Sequence, residues 1–367
     1  MAGPMVIAVD AMGGDAAPDA VVRGALQASA RTNARILLVG DEKRLHRCLT
    51  SERHSPAIDV LHAPETVDMG DIGPLALRKK RLSSLYVAMD QLQRGTADAV
   101  VSAGNSAAIV ATASHHLGLI PGLKRPALGV LLPSFGPDIL LADAGAHSES
   151  GSIHLAQTVF LAISFLKHSC GRPHPSIGIL NIGHEPTKGP RAIQGAMKLL
   201  AESFTPALRY VEPHTLFHGT VDGVVCDGFV GNALVKLLEG VSDAARQCLG
   251  TLGGDKLEPS AHRKAPPPEQ WLHRLASKEL GAAPLLGVRK TVLIAHGRSQ
   301  AREIANAILD AVGYVRQELY PRMEKDGELL EHLAAVRSHY TRWMLAGLKG
   351  PWRLSTKKPE SDKGGQP

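Results

Sequence analysis

Short apolar runs alternate with helical patterns along most of the chain, and this alternation limits the possible folds more than any other feature. We predict strands over residues 6–9, 36–39, 58–62, 99–102, 128–132, 139–143, 177–182, 224–226 and 291–295. Amphipathic patterns lie between most of them, for example over residues 18–30, 153–167 and 231–249. Strands that are apolar throughout are buried on both faces, as in a parallel sheet covered by helices on both sides. The pattern therefore predicts an α/β fold, a three-layer α/β/α sandwich with a largely parallel sheet.

Residues 250–275 interrupt the alternation. This segment contains two adjacent glycines, a basic patch at residues 262–264 and three prolines at residues 266–268, which is typical of an exposed excursion. We therefore predict one α/β domain over residues 1–322 with an excursion at about 250–275. A C-terminal amphipathic helix is expected over residues 323–348 and a disordered basic tail over residues 349–367. The predicted buried face of this helix consists of Leu329, Leu330, Leu333 and Val336.

The composition excludes several broad classes. With 44% hydrophobic and 21% charged residues, the chain is typical of a soluble globular protein rather than a disordered one. The longest apolar runs fall far short of the roughly 20 residues of a membrane-spanning helix. No secretory leader is evident, and the four cysteines are scattered as reduced thiols usually are, so a cytoplasmic location is expected. The net charge of +6 comes with only 4% aromatic residues and no basic–aromatic stripe, so nucleic-acid binding is not expected.

Turns rich in glycine and polar residues follow five of the predicted strands. They cover residues 10–15, 102–106, 181–189, 226–232 and 295–299. Glycines let a ligand approach the backbone closely, and the helix N-termini that follow favour anions. Each turn alone is equally typical of a plain strand-to-helix connection with a capping residue. Because we expect all five turns at the same end of the strands, together they predict a pocket of hydrogen-bond donors for an anionic, oxygen-rich ligand.

Motifs for metal, nucleotide and covalent chemistry are missing from the sequence. It contains no CxxC, HxH, HExxH, Walker A or GxGxxG pattern at the relevant positions, so we expect no metal and no cofactor. Ser106 and Cys226 have no visible histidine–acid partner, which disfavours a covalent intermediate.

Seven short motifs occur in an order and approximate spacing that resemble the bacterial phosphate acyltransferases of the PlsX type. They are DAMGGD at residues 10–15, SAGN at 102–105, DAGA at 143–146, NIG at 181–183, CDGFVGN at 226–232, APLLG at 283–287 and AHG at 295–297. The resemblance covers residues 5 to 320. It implies a fold related to isocitrate dehydrogenases and phosphotransacetylases.

The activity that the resemblance implies is the conversion of acyl-acyl carrier protein and inorganic phosphate into acyl phosphate for phospholipid synthesis. It also implies a homodimer, weak peripheral association with anionic membrane at its inner face, and a downstream glycerol-3-phosphate acyltransferase as a partner.

The chemistry of this reaction suggests roles for individual residues. Phosphate is largely dianionic near neutral pH, so it needs positioning more than deprotonation. We predict that Lys188 and Asn232 stabilise phosphate and the oxyanion, and that His296 assists the departing thiolate. The predicted phosphate-binding positions are Asp10, Gly13, Gly14, Ser102, Gly104, Asn105, Asp227 and Gly228, with the two aspartates expected to fix the loops.

The chain departs from the family pattern at several positions near these motifs. Leu82 stands where an acidic residue is usual, His147 where asparagine is usual and Arg298 where serine is usual. Arg298 is expected either to grip phosphate beside His296 or to lie on the solvent side and touch nothing.

Two other functions remain open at this point. A phosphotransacetylase-like enzyme would use short acyl-CoA on the same fold. A non-catalytic paralogue would bind acyl phosphate or the carrier protein without turnover.

Overall fold

The computed structural model describes residues 4–50, 56–72, 75, 78–203, 208–251 and 282–349, and within them eleven strands form one sheet. The strands are β1 Val6–Asp10, β2 Arg35–Gly40, β3 Ile58–His62, β4 Ala99–Ser102, β5 Ala127–Leu132, β6 Ile139–Ala142, β7 Ile177–Leu180, β8 Leu208–Val211, β9 Gly223–Val225, β10 Ala283–Leu286 and β11 Thr291–Ile294. The nine predicted strands are all confirmed. The sequence analysis missed β8 and β10.

Ten α-helices lie in the same residues, with a 3₁₀ helix over Pro213–His218. They are α1 Asp19–Ser29, α2 Glu42–Thr50, α3 Ser84–Arg94, α4 Ser106–Leu117, α5 Ser152–Ser169, α6 Arg191–Ser203, α7 Gly228–Thr251, α8 Ala301–Arg316, α9 Leu319–Glu324 and α10 Gly327–Lys349.

The direction of the strands reverses in the middle of the sheet. The spatial order is β3-β2-β1-β4-β11-β10-β5-β6-β9-β7-β8. Strands β1 to β4 and β11 are parallel, and so are β6 to β9 among themselves. Strand β10 is antiparallel to β11 and β5, and β5 is antiparallel to β6, so the two groups run in opposite directions.

This reversal corrects one expectation. The sheet is largely parallel, as predicted, but the polar turns do not all lie at one end of it. The turns after β1, β4 and β11 lie at the carboxyl ends of these strands, and we call this end of the sheet the first edge. The turns after β6, β7 and β9 lie at the carboxyl ends of strands that run the other way, and we call that end the second edge. Neither name refers to an outermost strand of the sheet. The sequence could not indicate this, because a fully buried strand is apolar whichever way its neighbours run.

Helices cover both faces of the sheet, as the three-layer prediction requires. In β1, Ile7 and Val9 pack in one buried cluster with α1 and α8, whereas Ala8 packs in another with α3 and α4. Successive side chains of a strand point to opposite faces, so the alternation explains why the run is apolar throughout. Fully burying a valine or isoleucine side chain contributes about 1.5–3 kcal/mol, which makes these faces the main source of stability.

The C-terminal helix begins later than predicted. Met323 lies in α9, and α10 starts at Gly327, after Asp326, whose Oδ1 accepts a hydrogen bond from the backbone N–H of Leu329 at 3.4 Å. An aspartate at this position caps the new helix. Leu329, Leu333 and Val336 are buried as expected, whereas Leu330 is only half-buried. Asp326 also ties α10 to α5, because its Oδ2 accepts from Ser164 Oγ at 2.8 Å and lies 2.9 Å from His168 Nε2.

Two predicted segments lie largely outside the described residues, namely most of the excursion at about 250–275 and all of the tail beyond Lys349. No helix in the described ranges is long and apolar enough to cross a membrane.

Candidate active site

The first edge is held together by a buried aspartate. Asp10 is only 3% exposed, and its Oδ2 accepts a hydrogen bond from Ser102 Oγ at 2.7 Å. Ser102 Oγ in turn accepts from the backbone N–H of Gly104 at 3.1 Å. A Cβ at Gly13 would lie 2.6 Å from Asp10 Oδ2 and 2.8 Å from the Gly104 nitrogen, so only glycine fits there. Burial raises the pKa of Asp10, although hydrogen bonds from Ser84 and Ser102 offset part of that rise.

Asn105, also at the first edge, is engaged within the protein. Its Oδ1 accepts from the backbone N–H of Ala108 at 3.0 Å and so caps α4. Its Nδ2 donates to the carbonyl oxygens of Met69 and Asp71, both at 2.9 Å. Gly14 has a φ of +107°, and the next N–H, that of Asp15, donates to the carbonyl oxygen of Gly297 at 2.8 Å. The predicted phosphate-binding residues of this edge therefore form a bonded scaffold.

A cavity of about 800 Å³ opens between the second edge and the first turn of α4. The lining residues that matter for its chemistry are Ala107, Arg125, His147, His154, Gly228 and Asn232. Two of the predicted site residues, Gly228 and Asn232, therefore line one cavity.

The loops around the cavity pack closely against each other at glycine positions. A Cβ on Gly228 would overlap the carbonyl oxygen of His147, and one on Gly231 would overlap that of Asp143. Gly145 has a φ of +125°, in the left-handed region that glycine favours, and its Cα faces the side chain of Asn232. The glycines of the CDGFVGN and DAGA motifs thus allow α7 to begin directly against the loop after β6.

Two aspartates fix this arrangement. Asp143 is 2% exposed, and its Oδ1 accepts from the backbone N–H groups of Leu128, Gly145 and Ala146 at 3.1, 3.1 and 2.7 Å. Asp227 Oδ2 accepts from the N–H of Ser150 at 2.6 Å, and its Oδ1 accepts from the N–H of Phe229 at 3.0 Å. The prediction that Asp227 fixes a loop agrees with these contacts.

The cavity wall carries a guanidinium and an uncharged imidazole. Arg125 Nη1 donates to the carbonyl oxygen of Glu149 at 3.1 Å. Burial, together with the cations Arg125 and Lys124, lowers the pKa of His154 to about 4, so this ring is neutral at pH 7. His154 Nδ1 accepts from the backbone N–H of Gly151 at 3.2 Å. Its single ring proton is therefore on Nε2, which makes that atom a hydrogen-bond donor.

Asn232 lies one turn into α7 and is exposed where it lines the cavity. Within the described part of the chain, its amide makes no hydrogen bond. It therefore offers an unused donor beside a helix N-terminus, where anions are favoured.

The other two predicted catalytic residues are not among those that line the cavity. Lys188 lies at the second edge on the loop after β7, half-exposed, with Nζ 2.9 Å from Glu185 Oε1. This hydrogen bond raises the pKa of Lys188. His296 lies at the first edge, where Nε2 is 3.4 Å from Glu239 Oε2 and Nδ1 accepts from the backbone N–H of Arg298 at 3.1 Å.

Arg298 lies on the solvent side of the same turn. Its side chain is 68% exposed, and Nη2 is 3.5 Å from Glu239 Oε2. This position agrees with the expectation that Arg298 faces solvent, except that it contacts a carboxylate there. Leu82, another departure from the family pattern, is exposed on the segment before α3.

A thiol nucleophile does not fit the cavity. Burial, reinforced by the charges of Asp143 and Asp227, raises the pKa of Cys226 well above its ordinary value. The reactive thiolate is therefore scarce at neutral pH. In the ranges that the structure describes, no group of three or more histidine, cysteine or acidic residues could hold a metal ion.

The sequence analysis missed Arg125, His154 and Asp143 as site residues. The sequence gives no sign that His154 is neutral, because its lowered pKa comes mainly from burial in the folded protein. Asp143 did have a signal, since it ends a buried strand at the start of the DAGA motif.

Comparison with known proteins decides the family. The chain matches the family model described as "Fatty acid synthesis protein" over residues 5–322. The phosphate acyltransferase of Syntrophobacter fumaroxidans is 47% identical over 355 residues, which cover 95% of this chain and 99% of that protein. The chain belongs to the phosphate acyltransferase family. A second relative, the phosphate acyltransferase of Desulforamulus reducens, is 38% identical over 329 residues, which cover 88% of this chain and 97% of that protein. The members of this family are enzymes that transfer acyl groups to phosphate, as the resemblance implied.

Solved structures support the expected fold. A phosphotransacetylase from Streptococcus pyogenes aligns with a TM-score of 0.56 at 17% identity, covering 85% of this chain and 94% of that chain. A branched-chain phosphotransacylase from Enterococcus faecalis aligns with a TM-score of 0.53 at 14% identity, and the alignment covers 85% of this chain and 99% of that chain. The phosphotransacetylase-like sandwich is thereby confirmed.

Proposed function

We propose that this protein transfers an acyl group from acyl-acyl carrier protein to inorganic phosphate, forming acyl phosphate for phospholipid synthesis. Family membership supports the acyl transfer to phosphate. The observation that carries the proposal to this chain is the cavity at the start of α7, where Asn232, Arg125 and the neutral His154 supply donors that suit a phosphate.

Phosphate binds against the N-terminus of α7 in this proposal. The helix dipole and the guanidinium of Arg125 both favour an anion there, and a guanidinium can hold two phosphate oxygens at once. The Nε2–H of His154 adds a donor without adding charge. Lys188, on the neighbouring loop, forms an exposed ion pair with Glu185, and such a pair is weak enough to be exchanged for phosphate.

The tetrahedral intermediate needs a donor at its oxyanion, and we assign this role to Asn232. Its amide is unused in the described structure and adjoins the proposed phosphate position. The phosphate and the thioester carbonyl would thus be held side by side, which is the main requirement when the nucleophile is already charged.

His296 is still proposed to assist the departing thiolate, although its Nε2 lies 3.4 Å from Glu239 Oε2 at the first edge. A His296→Gln variant with unchanged turnover would remove it from the reaction.

The acyl donor is tested by phosphate-dependent release of free thiol. We expect release from palmitoyl-acyl carrier protein and a much lower kcat/KM with acetyl-CoA. The opposite preference would indicate a phosphotransacetylase-like enzyme. Binding of the carrier protein without thiol release would indicate a non-catalytic paralogue.

We also propose a cytoplasmic homodimer that associates weakly with anionic membrane and hands acyl phosphate to a glycerol-3-phosphate acyltransferase. Binding to anionic vesicles should fade at high salt, because the attraction is mainly electrostatic. Salt-resistant binding to neutral vesicles would contradict this, and light scattering would report the dimer.

A further inference from the structure

A buried glutamine lies inside α5, a helix whose other buried side chains are mostly apolar. Gln157 is 1% exposed and follows His154 by about one turn of the helix. Its Nε2 donates to the carbonyl oxygen of Gly122 at 2.9 Å, and its Oε1 accepts from the backbone N–H of Lys124 at 3.0 Å. Burying an amide is costly unless it is hydrogen-bonded, so these two bonds account for a glutamine at this place in the core.

The loop that the glutamine holds covers residues 118–126, between α4 and β5, and it carries Arg125 to the cavity wall. Gly122 has a φ of +88°, in the left-handed region that glycine favours. The two bonds fix the backbone at Gly122 and Lys124, and Arg125 follows directly. One helix, α5, therefore carries His154 at the cavity and also holds the loop that brings the guanidinium there.

The two cations of this loop point in different directions. Lys124 Nζ lies 5.0 Å from the centre of the Tyr340 ring on α10, whereas Arg125 lines the cavity. The bond at the N–H of Lys124 fixes the backbone immediately before Arg125, so it helps to set which cation faces the cavity. The choice matters, because a guanidinium can hold two phosphate oxygens at once whereas an ammonium acts as a point charge.

The rest of the loop is anchored independently of the glutamine. The backbone N–H of Ile120 donates to the carbonyl oxygen of Gly287 at 2.9 Å, and a Cβ on Gly287 would overlap the side chain of Leu123. Pro126 is buried just before β5. Loss of the amide should therefore loosen the backbone over residues 122–125 without unfolding the protein.

We propose that Gln157 is the positioning residue that holds Arg125 at the phosphate position of the cavity. This inference rests on the proposed function, because it concerns the phosphate that Arg125 binds there. A guanidinium holds two phosphate oxygens only when its plane is directed at both of them. A backbone that is fixed beforehand leaves less freedom to be lost when phosphate binds. Gln157 thereby increases the affinity for phosphate while lying outside the cavity wall.

The test measures phosphate binding by titration calorimetry, and the KM for phosphate by thiol release from palmitoyl-acyl carrier protein. Gln157→Leu keeps a buried side chain of similar size but cannot bond to the loop. We expect about tenfold weaker phosphate binding and a KM raised about tenfold, with little change in kcat, because a contact present both before and during the reaction is weakened. The matched control is Gln91→Glu, a half-buried glutamine on α3 that accepts from Thr96 Oγ1, and it should leave both values unchanged.

A double-mutant cycle separates positioning from a merely structural role. If Gln157 acts through Arg125, Gln157→Leu should have no further effect on phosphate binding in an Arg125→Ala background. A general loosening of the fold would instead weaken binding by the same factor in both backgrounds.

Gln157→Glu gives a second readout that does not depend on the leucine variant folding. A protonated carboxyl can donate to the carbonyl of Gly122 and accept from the N–H of Lys124, as the amide does, whereas the ionised form cannot donate. Burial favours the protonated form, and the cations Lys124 and Arg125 oppose it. Relative to Gln91→Glu, phosphate binding should therefore weaken as the pH rises and the new carboxyl ionises. Binding equal to that of Gln91→Glu at every pH would count against the inference.

The outcomes separate this inference from the proposed function. Phosphate binding by Gln157→Leu within about twofold of wild type would overturn the inference, and so would equal losses in the two backgrounds of the cycle. A wild type that binds phosphate but releases no thiol would overturn the proposed function, and the calorimetric comparison would still decide the role of Gln157. A wild type that does not bind phosphate would overturn both.

Discussion

The loops at the two edges of the sheet are built from similar residues but use them differently. At the first edge, the polar atoms of Asp10, Ser102 and Asn105 are bonded to one another or to the backbone. At the second edge, Asn232 and His154 Nε2 have no such bond in the described structure and face a cavity. A polar turn after a strand is therefore weak evidence for a ligand site. Unused hydrogen-bonding capacity beside a cavity is much stronger evidence.

The largest effect should come from Asn232→Ala at the second edge. Loss of one oxyanion donor costs about 10²–10³-fold in kcat, and the variant should fold normally because the side chain is exposed. Steady-state thiol release measures the effect, and Asn33→Ala, an exposed asparagine before β2, is the matched control. Equal activity of the two variants would contradict the inference that the second edge, unlike the first, binds the reacting groups.

Lys188→Ala tests whether the second edge extends to the loop after β7. We expect a loss of about 10²-fold in kcat/KM for phosphate, because one charged contact to phosphate disappears. Lys198→Ala on α6 removes another exposed lysine and should leave kcat/KM as it is. Equal values of kcat/KM for the two variants would mean that Lys188 pairs with Glu185 without contacting phosphate.

Asp10→Asn should change stability rather than phosphate binding. Burial raises the pKa of Asp10 above its ordinary value of 3.8, so the ionised form is the costly one when folded. Its contribution to stability is present below pH 3.8 and is lost as the pH rises through the raised pKa. The free energy of unfolding of Asp10→Asn relative to wild type should therefore increase as the pH rises above 3.8, as urea titrations can measure.

The stability of Asp326→Asn relative to wild type should depend on pH in the opposite direction. Burial acts to raise the pKa of Asp326, but hydrogen bonds from Ser164 and His168 outweigh it and lower the pKa. Its stabilisation is thus present above pH 3.8 and lost as the pH falls below that value, so the stability of this variant relative to wild type should decrease as the pH rises towards 3.8 and stay level above it. Parallel slopes for the two variants would contradict the assignment of Asp10.

Arg298→Ser should have the smallest effect. Among the residues that the structure describes, its exposed guanidinium contacts Glu239 at 3.5 Å, and such surface pairs contribute about 0–1 kcal/mol. We expect an unchanged KM for phosphate and an unchanged pH profile. A raised KM would mean that the first edge also binds phosphate.

Much of the fold was predictable because burial on both faces of a strand leaves a direct trace in the sequence. The nine predicted strands were identified in this way, whereas Asn232 was predicted from the CDGFVGN motif and its role stays a prediction. Strand direction was not predictable, because it depends on which strands pair. Strand β10 begins Ala283-Pro284, and proline is unusual in a central strand, which explains why it was missed.

The site was predictable only in part for a related reason. Glycines were predicted to let a ligand approach the backbone, whereas in the structure Gly13, Gly228 and Gly231 approach other atoms of the protein itself. Whether a polar side chain is left unused depends on partners distant in sequence, as Asn105 and Met69 illustrate. The lowered pKa of His154 likewise depends first on its burial and then on Arg125, which lies in another segment.

Strand β11 has a consequence for the order in which the chain can fold during synthesis. It lies between β4 and β10, and Val292 pairs with Val100 across about half of the length of the chain. Until the ribosome has made residue 294, β4 and β5 each present an unpaired edge to other chains. Contacts this distant in sequence also slow folding. The nascent protein therefore completes its sheet only after β11 has been made, and a chain terminated after α7 should aggregate rather than persist as a smaller folded unit.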